Sequence, residues 1–428
     1  MNILLTGATG FIGRAIALAL LEQGHRVTAC SRRPQCLRLE SPLLTPLALD
    51  FAEADQIENW LPHLQGIDAI VNCVGIIAPG PRQSFQQLHS QSPIALFRAG
   101  AMAGVRKIVQ LSALGADDQA ASAYHVSKKA ADDALRELSL DWFVLQPSLV
   151  YGPGGRSHAL FQALAALPVH LLPEGGKQML QPIHVDDVAA AVCRCLQPGC
   201  AGRRTIALVG PEPISYADWL QGLRLRLGKS RASAWRLPQR YAAIVAGCGR
   251  ALAEPILSRD NLAMLRRGSA ADPAPLIELL GRPPRSAKRM FADDASQAER
   301  WHAHLYFLRP LLGWSIALVW LWSGITSLFF YPHQASYALL AATGINGIAA
   351  PLTLYGLAAL DIAMGLATLA RIRLPALLLC QFYIVLGYSL VVACRLPEFV
   401  FHPFGPLLKN LPFLLCLLVY RIVEGERP

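Results

Sequence analysis

The chain has 428 residues, a length that suits two or three domains. It is 53% hydrophobic and 16% charged, against about a quarter charged in an ordinary soluble protein. The apolar excess gathers beyond Leu311, which excludes a wholly soluble protein and implies a soluble part followed by a membrane part.

The net charge is +10, yet no basic stripe interleaves with aromatics, so nucleic acid is excluded as a partner. Positive residues instead cluster at 281–309 (Arg282, Arg285, Lys288, Arg289, Arg300, Arg309), just before the first long apolar run. That is where a positive-inside signal belongs. The 10 cysteines are scattered without zinc-ligand spacing, so no metal site is expected. Residues 1–5 begin a strand and carry no basic leader, so no signal peptide is expected.

The chain opens on Ile3–Leu5, a short apolar strand. Gly7, Gly10 and Gly13 follow at a three-residue spacing, then a helical run from Ile12 to Glu22 and a strand at Arg26–Cys30. Glycines at the first turn of such a βαβ unit let the backbone approach a pyrophosphate, and the helix N-terminus offers it free N–H groups. The cradle candidates are Gly7, Thr9, Gly10, Phe11, Ile12 and Gly13. The second strand ends in Ser31, Arg32 and Arg33, with no acid to bind both ribose hydroxyls. Two guanidiniums suit a 2′-phosphate, which favours NADP over NAD.

Further strands are expected at Pro46–Leu49, Ile67–Cys73, Lys107–Ser112, Trp142–Leu145 and Thr205–Val209, with helical segments between them. This alternation predicts an α/β fold, a Rossmann-type doubly wound parallel sheet. Ligands of such sheets bind at the carboxyl ends of the strands, which lines up Gly7, Asp50, Gly75, Ser112 and Pro147. Tyr124 and Lys128 follow on one helix, four apart and hence on one face.

The stretches TGATGFIG at 6–13, LSA at 111–113, YHVSK at 124–128, PSLVYG at 147–152 and PIHVDD at 182–187 resemble the short-chain dehydrogenase/reductase superfamily. The likeness is to its atypical or extended branch, which includes the nucleotide-binding accessory subunit of respiratory complex I. What the resemblance implies is a catalytic set of Ser112, Tyr124 and Lys128. Tyr124 would donate a proton to a carbonyl oxygen as hydride arrives from the nicotinamide. Lys128 would lower the phenol pKa and hold the ribose, and Ser112 would bind the substrate oxygen. Asp50 would accept from the adenine amine; Val74 and Gly75 would let the coenzyme approach. Pro147 and Val150 would border the nicotinamide, while His184 and Asp186 would brace a substrate lobe. Some atypical members bind NADPH only as scaffolds, so a non-catalytic regulator of a membrane redox complex stays open.

The expected substrate lobe covers about 151–200 and 211–270, completing a first domain at 1–270. Within it, Ser215 should cap an amphipathic helix, and a basic, apolar-faced helix should follow near 237–257. Residues 271–304, rich in Pro, Arg, Asp and Ala, read as a linker. Residues 305–428 contain apolar runs at about 311–330, 351–370, 374–394 and 405–423, each near the length that crosses a bilayer. This predicts an all-α four-helix transmembrane domain. WLWSGITSLF at 320–329 and HPFGPLLKNLPFL at 402–414 resemble DoxX-like membrane domains. That resemblance implies the lipid bilayer and a membrane redox module as partners, with a lipophilic small molecule as substrate. The flanking arginines place both termini in the cytoplasm, in a multi-pass protein of the inner (cell) membrane. Asp361 lies inside the second span, with Lys409, His402 or a simple helix–helix hydrogen bond as candidate partners. A coenzyme-gated transporter is a third reading, resting on that carboxylate alone.

Overall fold

The computed structural model describes residues 1–80, 83–241 and 258–425, with positions 244, 247 and 249 between the last two stretches. The chain divides into two compact units, Met1–His304 and Leu305–Pro428.

The first unit is built on strands β1 (Asn2–Thr6), β2 (Arg26–Ser31), β3 (Leu44–Ala48), β4 (Ala69–Asn72), β5 (Lys107–Leu111) and β6 (Asp141–Pro147). Smaller strands follow: β7 (Val150–Tyr151), β8 (Val169–Pro173), β9 (Met179–Leu180) and β10 (Ile183–His184). Then come β11 (Arg204–Leu208), β12 (Ile214–Ser215) and β13 (Ser233–Leu237). Seven of them form one parallel sheet in the order β11-β6-β5-β4-β1-β2-β3. All six of the strands expected after the first are present, within a few residues of their expected bounds. They could be read because a parallel sheet covered on both faces needs near-continuous apolar runs: Ile3, Leu4 and Leu5 are fully buried, as are Ala69, Ile70 and Val71.

Helices α1 (Phe11–Glu22), α2 (Ser92–Met102), α3 (Ala123–Arg136), α4 (Arg156–Ala166), α5 (Val185–Leu196) and α6 (Tyr216–Arg226) join these strands. One core holds Ile16 and Leu20 of α1 with Val188 and Val192 of α5 against one sheet face. A second holds Leu96 and Phe97 of α2 with Ala131 and Leu135 of α3 against the other. The chain order reverses between β1 and β4, and this switch point opens the crevice where ligands of doubly wound sheets sit.

Ser215 caps α6, its Oγ accepting from the Asp218 amide at 3.1 Å. The helix expected near 237–257 falls largely outside the described residues. The stretch 271–304, expected as a linker, carries short helices at Ala274–Leu280 and Ala287–Ala292. Leu276 and Leu280 join the core beneath α5, and Ala287, Ala295 and Ala303 join the cluster around Trp219. Arg282 ties the segment down through Asp187 at 2.6 Å. Proline and charge at its surface concealed these few apolar anchors.

In the second unit three helices are long and apolar enough to cross a bilayer: the run Gln297–Phe330, which begins in the first unit, then Ala349–Leu369 and Leu374–Arg395. The fourth expected span is a 16-residue helix, Asn410–Gly425. Ile316, Trp320, Leu378, Leu417 and Tyr420 form the unit's core. A Cβ on Gly324 would stand 2.6 Å from the Ala358 carbonyl oxygen, so the backbones of two spans approach closely there. Asp361 accepts from Ser323 Oγ at 2.7 Å, so its partner is the helix–helix hydrogen bond rather than Lys409 or His402.

Candidate functional site

β1 hands the chain to α1 through a turn that only glycine permits. Gly7 has φ +69°, and a Cβ there would sit 3.0 Å from the Cys73 backbone. A Cβ on Gly13 would stand 2.1 Å from the Gly7 carbonyl oxygen. Gly10 occupies the N-cap of α1 without offering a side-chain cap. The first amides of α1, from Phe11, Ile12 and Gly13, therefore have neither an intrahelical acceptor nor a capping side chain. Thr9 and Gly10 are exposed beside them. Such a terminus matches a pyrophosphate in charge and in donor direction. Phe11 seals the other side, its ring 3.0 Å from where a Gly155 Cβ would lie.

Ser31 ends β2 with its Oγ buried and without a hydrogen-bond partner among the described residues, an orphan that a bound polar group would satisfy. Arg32 and Arg33 are exposed next to it. The Gln83 carboxamide stands 2.9 Å from an Arg32 terminal nitrogen, which satisfies both groups when its oxygen faces the guanidinium. Asp50 follows β3 and uses Oδ1 on the Ala52 amide at 3.0 Å, leaving its second oxygen for a ligand. These residues fit an adenine dinucleotide.

α3 starts at a Ser122 N-cap whose Oγ accepts from the His125 amide at 3.2 Å. That register turns Lys128 and Asp132 inward toward the ends of β4 and β5. Lys128 is 3% exposed and donates to the carbonyl oxygens of Val74 and Leu111, both at 3.0 Å. Its Nζ also lies 3.3 Å from a Cβ built on Gly75, so any side chain there would push the ammonium away. Burial lowers the Lys128 pKa to about 8, partly offset by Asp132 and Cys73. Tyr124 is half-buried, in edge contact with the rings of Phe85, His89 and His125. Its phenol is pushed up to about 12, by burial first and by the charge of Asp132 second. Lys128, expected to lower this phenol, spends its ammonium on the main-chain carbonyls of Val74 and Leu111.

Ser112 follows β5, nearly buried, and donates through Oγ to Asp132 Oδ2. Pro147 ends β6 buried, and Val150 lies half-buried in β7. His184 Nδ1 accepts from the Asp186 amide at 3.2 Å, and Asp186 pairs with Arg285 at 2.8 Å. Among the described residues no three metal-ligating side chains gather.

The chemistry available is therefore an anion cradle at α1, a cationic pair after β2, and a phenol, a hydroxyl and an ammonium along neighbouring strand ends. Two buried residues escaped sequence reading. His89 sits in the π-helical turn Gln86–Gln91, its ring 5.3 Å from that of Tyr124. Asp132 lies one helical turn past Lys128, and that spacing, four from Lys128 and eight from Tyr124, was the available signal.

Comparison with known proteins agrees with this geometry. Residues 7–198 match the NAD(P)H-binding family and residues 317–418 the DoxX-like family. A ceramide reductase from Caulobacter vibrioides is 31% identical over 222 residues, 51% of this chain and 68% of that protein. The 40 kDa subunit of mitochondrial NADH-ubiquinone oxidoreductase from Neurospora crassa is 24% identical over 273 residues, 62% of this chain and 71% of that one. An NADPH-dependent quinone oxidoreductase from Escherichia coli, solved with NADPH, shares the fold. Its TM-score is 0.56 at 20% identity, covering 68% of this chain and 99% of that one. The chain belongs to the NAD(P)H-binding, Rossmann-fold reductase family of these relatives, with a DoxX-like domain on its C-terminal side.

Proposed function

We propose that this protein is a membrane-anchored, NADPH-dependent reductase of a carbonyl or quinone carried on a lipophilic molecule. The observation that supports the reading is that Lys128 and Ser112 lie at the ends of β4 and β5 beside an uncapped α1, with Tyr124 one turn before Lys128 on α3. The ceramide and quinone named for its relatives are both apolar oxygen-bearing molecules. A domain with three bilayer-length helices suits that class of substrate.

Bound in the cradle, the coenzyme supplies the hydride. Gly7, Gly10 and the first amides of α1 hold its diphosphate, Ser31, Arg32 and Arg33 select the 2′-phosphate, and Asp50 takes the adenine side. Gly75 leaves room for the ribose near Lys128. Pro147 and Val150 border the ring. Tyr124 gives its phenolic proton to the substrate oxygen and recovers one from solvent. The arginines at 281–309, with Arg371 and Arg373, favour an inner-membrane protein with both termini in the cytoplasm, where NADPH is made.

The test uses the full chain in lipid nanodiscs, following NADPH oxidation with methyl hexyl ketone and with a short-chain ubiquinone. Tyr124→Phe should slow turnover by about 10²-fold or more; equal rates would remove Tyr124 from the mechanism. A second reading, a coenzyme-binding scaffold for a membrane redox assembly, draws on the engagement of Lys128 with carbonyls and on the complex I relative. Tight NADPH binding without turnover of either probe would favour it.

A further inference from the structure

Ser112 Oγ donates its single proton to Asp132 Oδ2. While it does so, it can meet a substrate oxygen only with lone pairs, which repel a carbonyl oxygen and suit the hydroxyl of an alcohol. Asp132 has no exposed surface, and its Oδ1 has no hydrogen-bond partner among the described residues. A buried carboxylate with one unpartnered oxygen is a costly ion, and protonation removes that cost.

We propose that Asp132 is a positioning residue that sets the hydrogen-bond sense of Ser112: protonated, it donates to Ser112 Oγ and frees the serine proton for a carbonyl oxygen; ionised, it holds Ser112 as an acceptor for an alcohol. The inference rests on the reductase reading above. The proton of Asp132 exchanges with solvent as the carboxyl titrates and is not consumed in turnover; the proton delivered to product comes from Tyr124.

The surroundings agree with a carboxyl that titrates near neutrality. Burial raises Asp132 to about 6, opposed by the Ser112 hydrogen bond and the charges of Lys128 and Arg136, and aided by Asp133. Facing it are Tyr124, Lys128, Asp133 and Arg136 on α3 and Ser112 after β5. Cys73, after β4, faces Lys128 and is a neutral thiol pushed up to about 12. The charge of Asp132 is also the second cause of the high Tyr124 pKa. Neutral Asp132 therefore makes the phenol a readier donor in the same step that turns Ser112.

The experiment measures reduction of methyl hexyl ketone with NADPH and oxidation of its secondary alcohol with NADP, from about pH 5 to about pH 8. In the wild type, the ratio of reductive to oxidative kcat should fall through a transition near 6, beyond the proton's part in the overall equilibrium. Asp132→Asn keeps an N–H donor toward Ser112, so the transition should vanish, with oxidation slowed at least ~10-fold at the alkaline end. An unchanged transition in Asp132→Asn overturns the proposal.

Infrared difference spectra of the NADPH-bound protein give a readout independent of turnover. A carboxyl C=O band should titrate near 6, be absent in Asp132→Asn, and shift in Ser112→Ala. No such band, or a band indifferent to Ser112→Ala, overturns the proposal even if the protein is a reductase. Turnover absent for both probes with the band intact sinks the reductase reading and leaves the Ser112–Asp132 coupling standing.

Discussion

His89 accepts the Ile76 amide proton on Nε2 at 3.0 Å. Its other nitrogen lies 3.0 Å from Ser127 Oγ, whose own proton goes to the Tyr124 carbonyl oxygen at 2.8 Å. The tautomer follows: the ring is neutral, protonated on Nδ1 and donating to Ser127. His89 thereby fixes the Val74–Ile76 loop that holds Lys128.

His89→Phe should fill the space and strand the Ile76 N–H. A cost of about 1–3 kcal/mol in denaturant unfolding is expected, with weaker NADPH binding. Burial, with Lys128 second, lowers the His89 pKa to about 2 from 6.5. The folded state thus resists protonation that the unfolded chain accepts. The stability it contributes is present above about pH 6.5 and is lost as pH falls toward 2, by at most about 1.4 kcal/mol per pH unit. His89→Phe should flatten that part of the stability-versus-pH curve; an unchanged slope below pH 6.5 would show that His89 is not the group responsible.

Two glycines of the cradle separate folding from binding. A Cβ on Gly13 meets a backbone oxygen at 2.1 Å that cannot yield. Gly13→Ala should cost on the order of 3 kcal/mol in stability as well as coenzyme binding. Gly10 has φ −75°, ordinary for alanine, and its Cβ would meet only the Gly7 carbonyl oxygen at 3.2 Å. Gly10→Ala should fold with a near-normal melting temperature yet bind NADPH more weakly in calorimetry, because the methyl occupies the anion's approach. A Gly10→Ala protein that binds normally would place the diphosphate elsewhere.

The same contrast shows what could be read from sequence. Glycine spacing, buried strands and the Tyr124–Lys128 face are local patterns, and each appears in the structure where its period placed it. Asp132 and His89 were hidden because a charge in KKAADD or a histidine in QQLHSQ reads as a solvated surface. Only the closure of α3 over the strand ends buries them. The parallel pairing of β7 with β10 and of β8 with β13 is likewise set by tertiary contacts between two-residue or distant segments. The stretch 271–304 hid its anchors for the related reason that Leu276 and Leu280 are too few to make a period.

Coenzyme choice turns on Arg32 and Arg33. A guanidinium bonded to a phosphate is worth about 1.4 kcal/mol or more, which is a tenfold change in affinity. Arg32→Ala should weaken NADPH binding by about tenfold while leaving NADH within about twofold, as read by tryptophan quenching or calorimetry on the full chain. Equal losses for both coenzymes would assign Arg32 to the shared adenosine or to folding through Gln83. Gln83→Ala separates those two, since it removes the carboxamide beside Arg32 without touching the guanidinium.

In the membrane unit, Glu424 lies between two guanidiniums. Its Oε1 is 3.3 Å from Arg309, and Oε2 pairs with Arg371, while its side chain is 4% exposed. The three residues come from separate helices or their ends, so the carboxylate ties together Gln297–Ile325, the end of Ala349–Leu369 and Asn410–Gly425. Removing the carboxylate leaves two partly exposed guanidiniums facing one another without their counter-charge, which costs less than stranding a fully buried ion. Glu424→Met should therefore lower the melting temperature of the detergent-solubilised protein. Adding Arg371→Met to it should recover part of the loss, since a paired apolar replacement removes the stranded charge together with its partner. If the double variant melts no higher than Glu424→Met, the triad contributes through Arg309 alone.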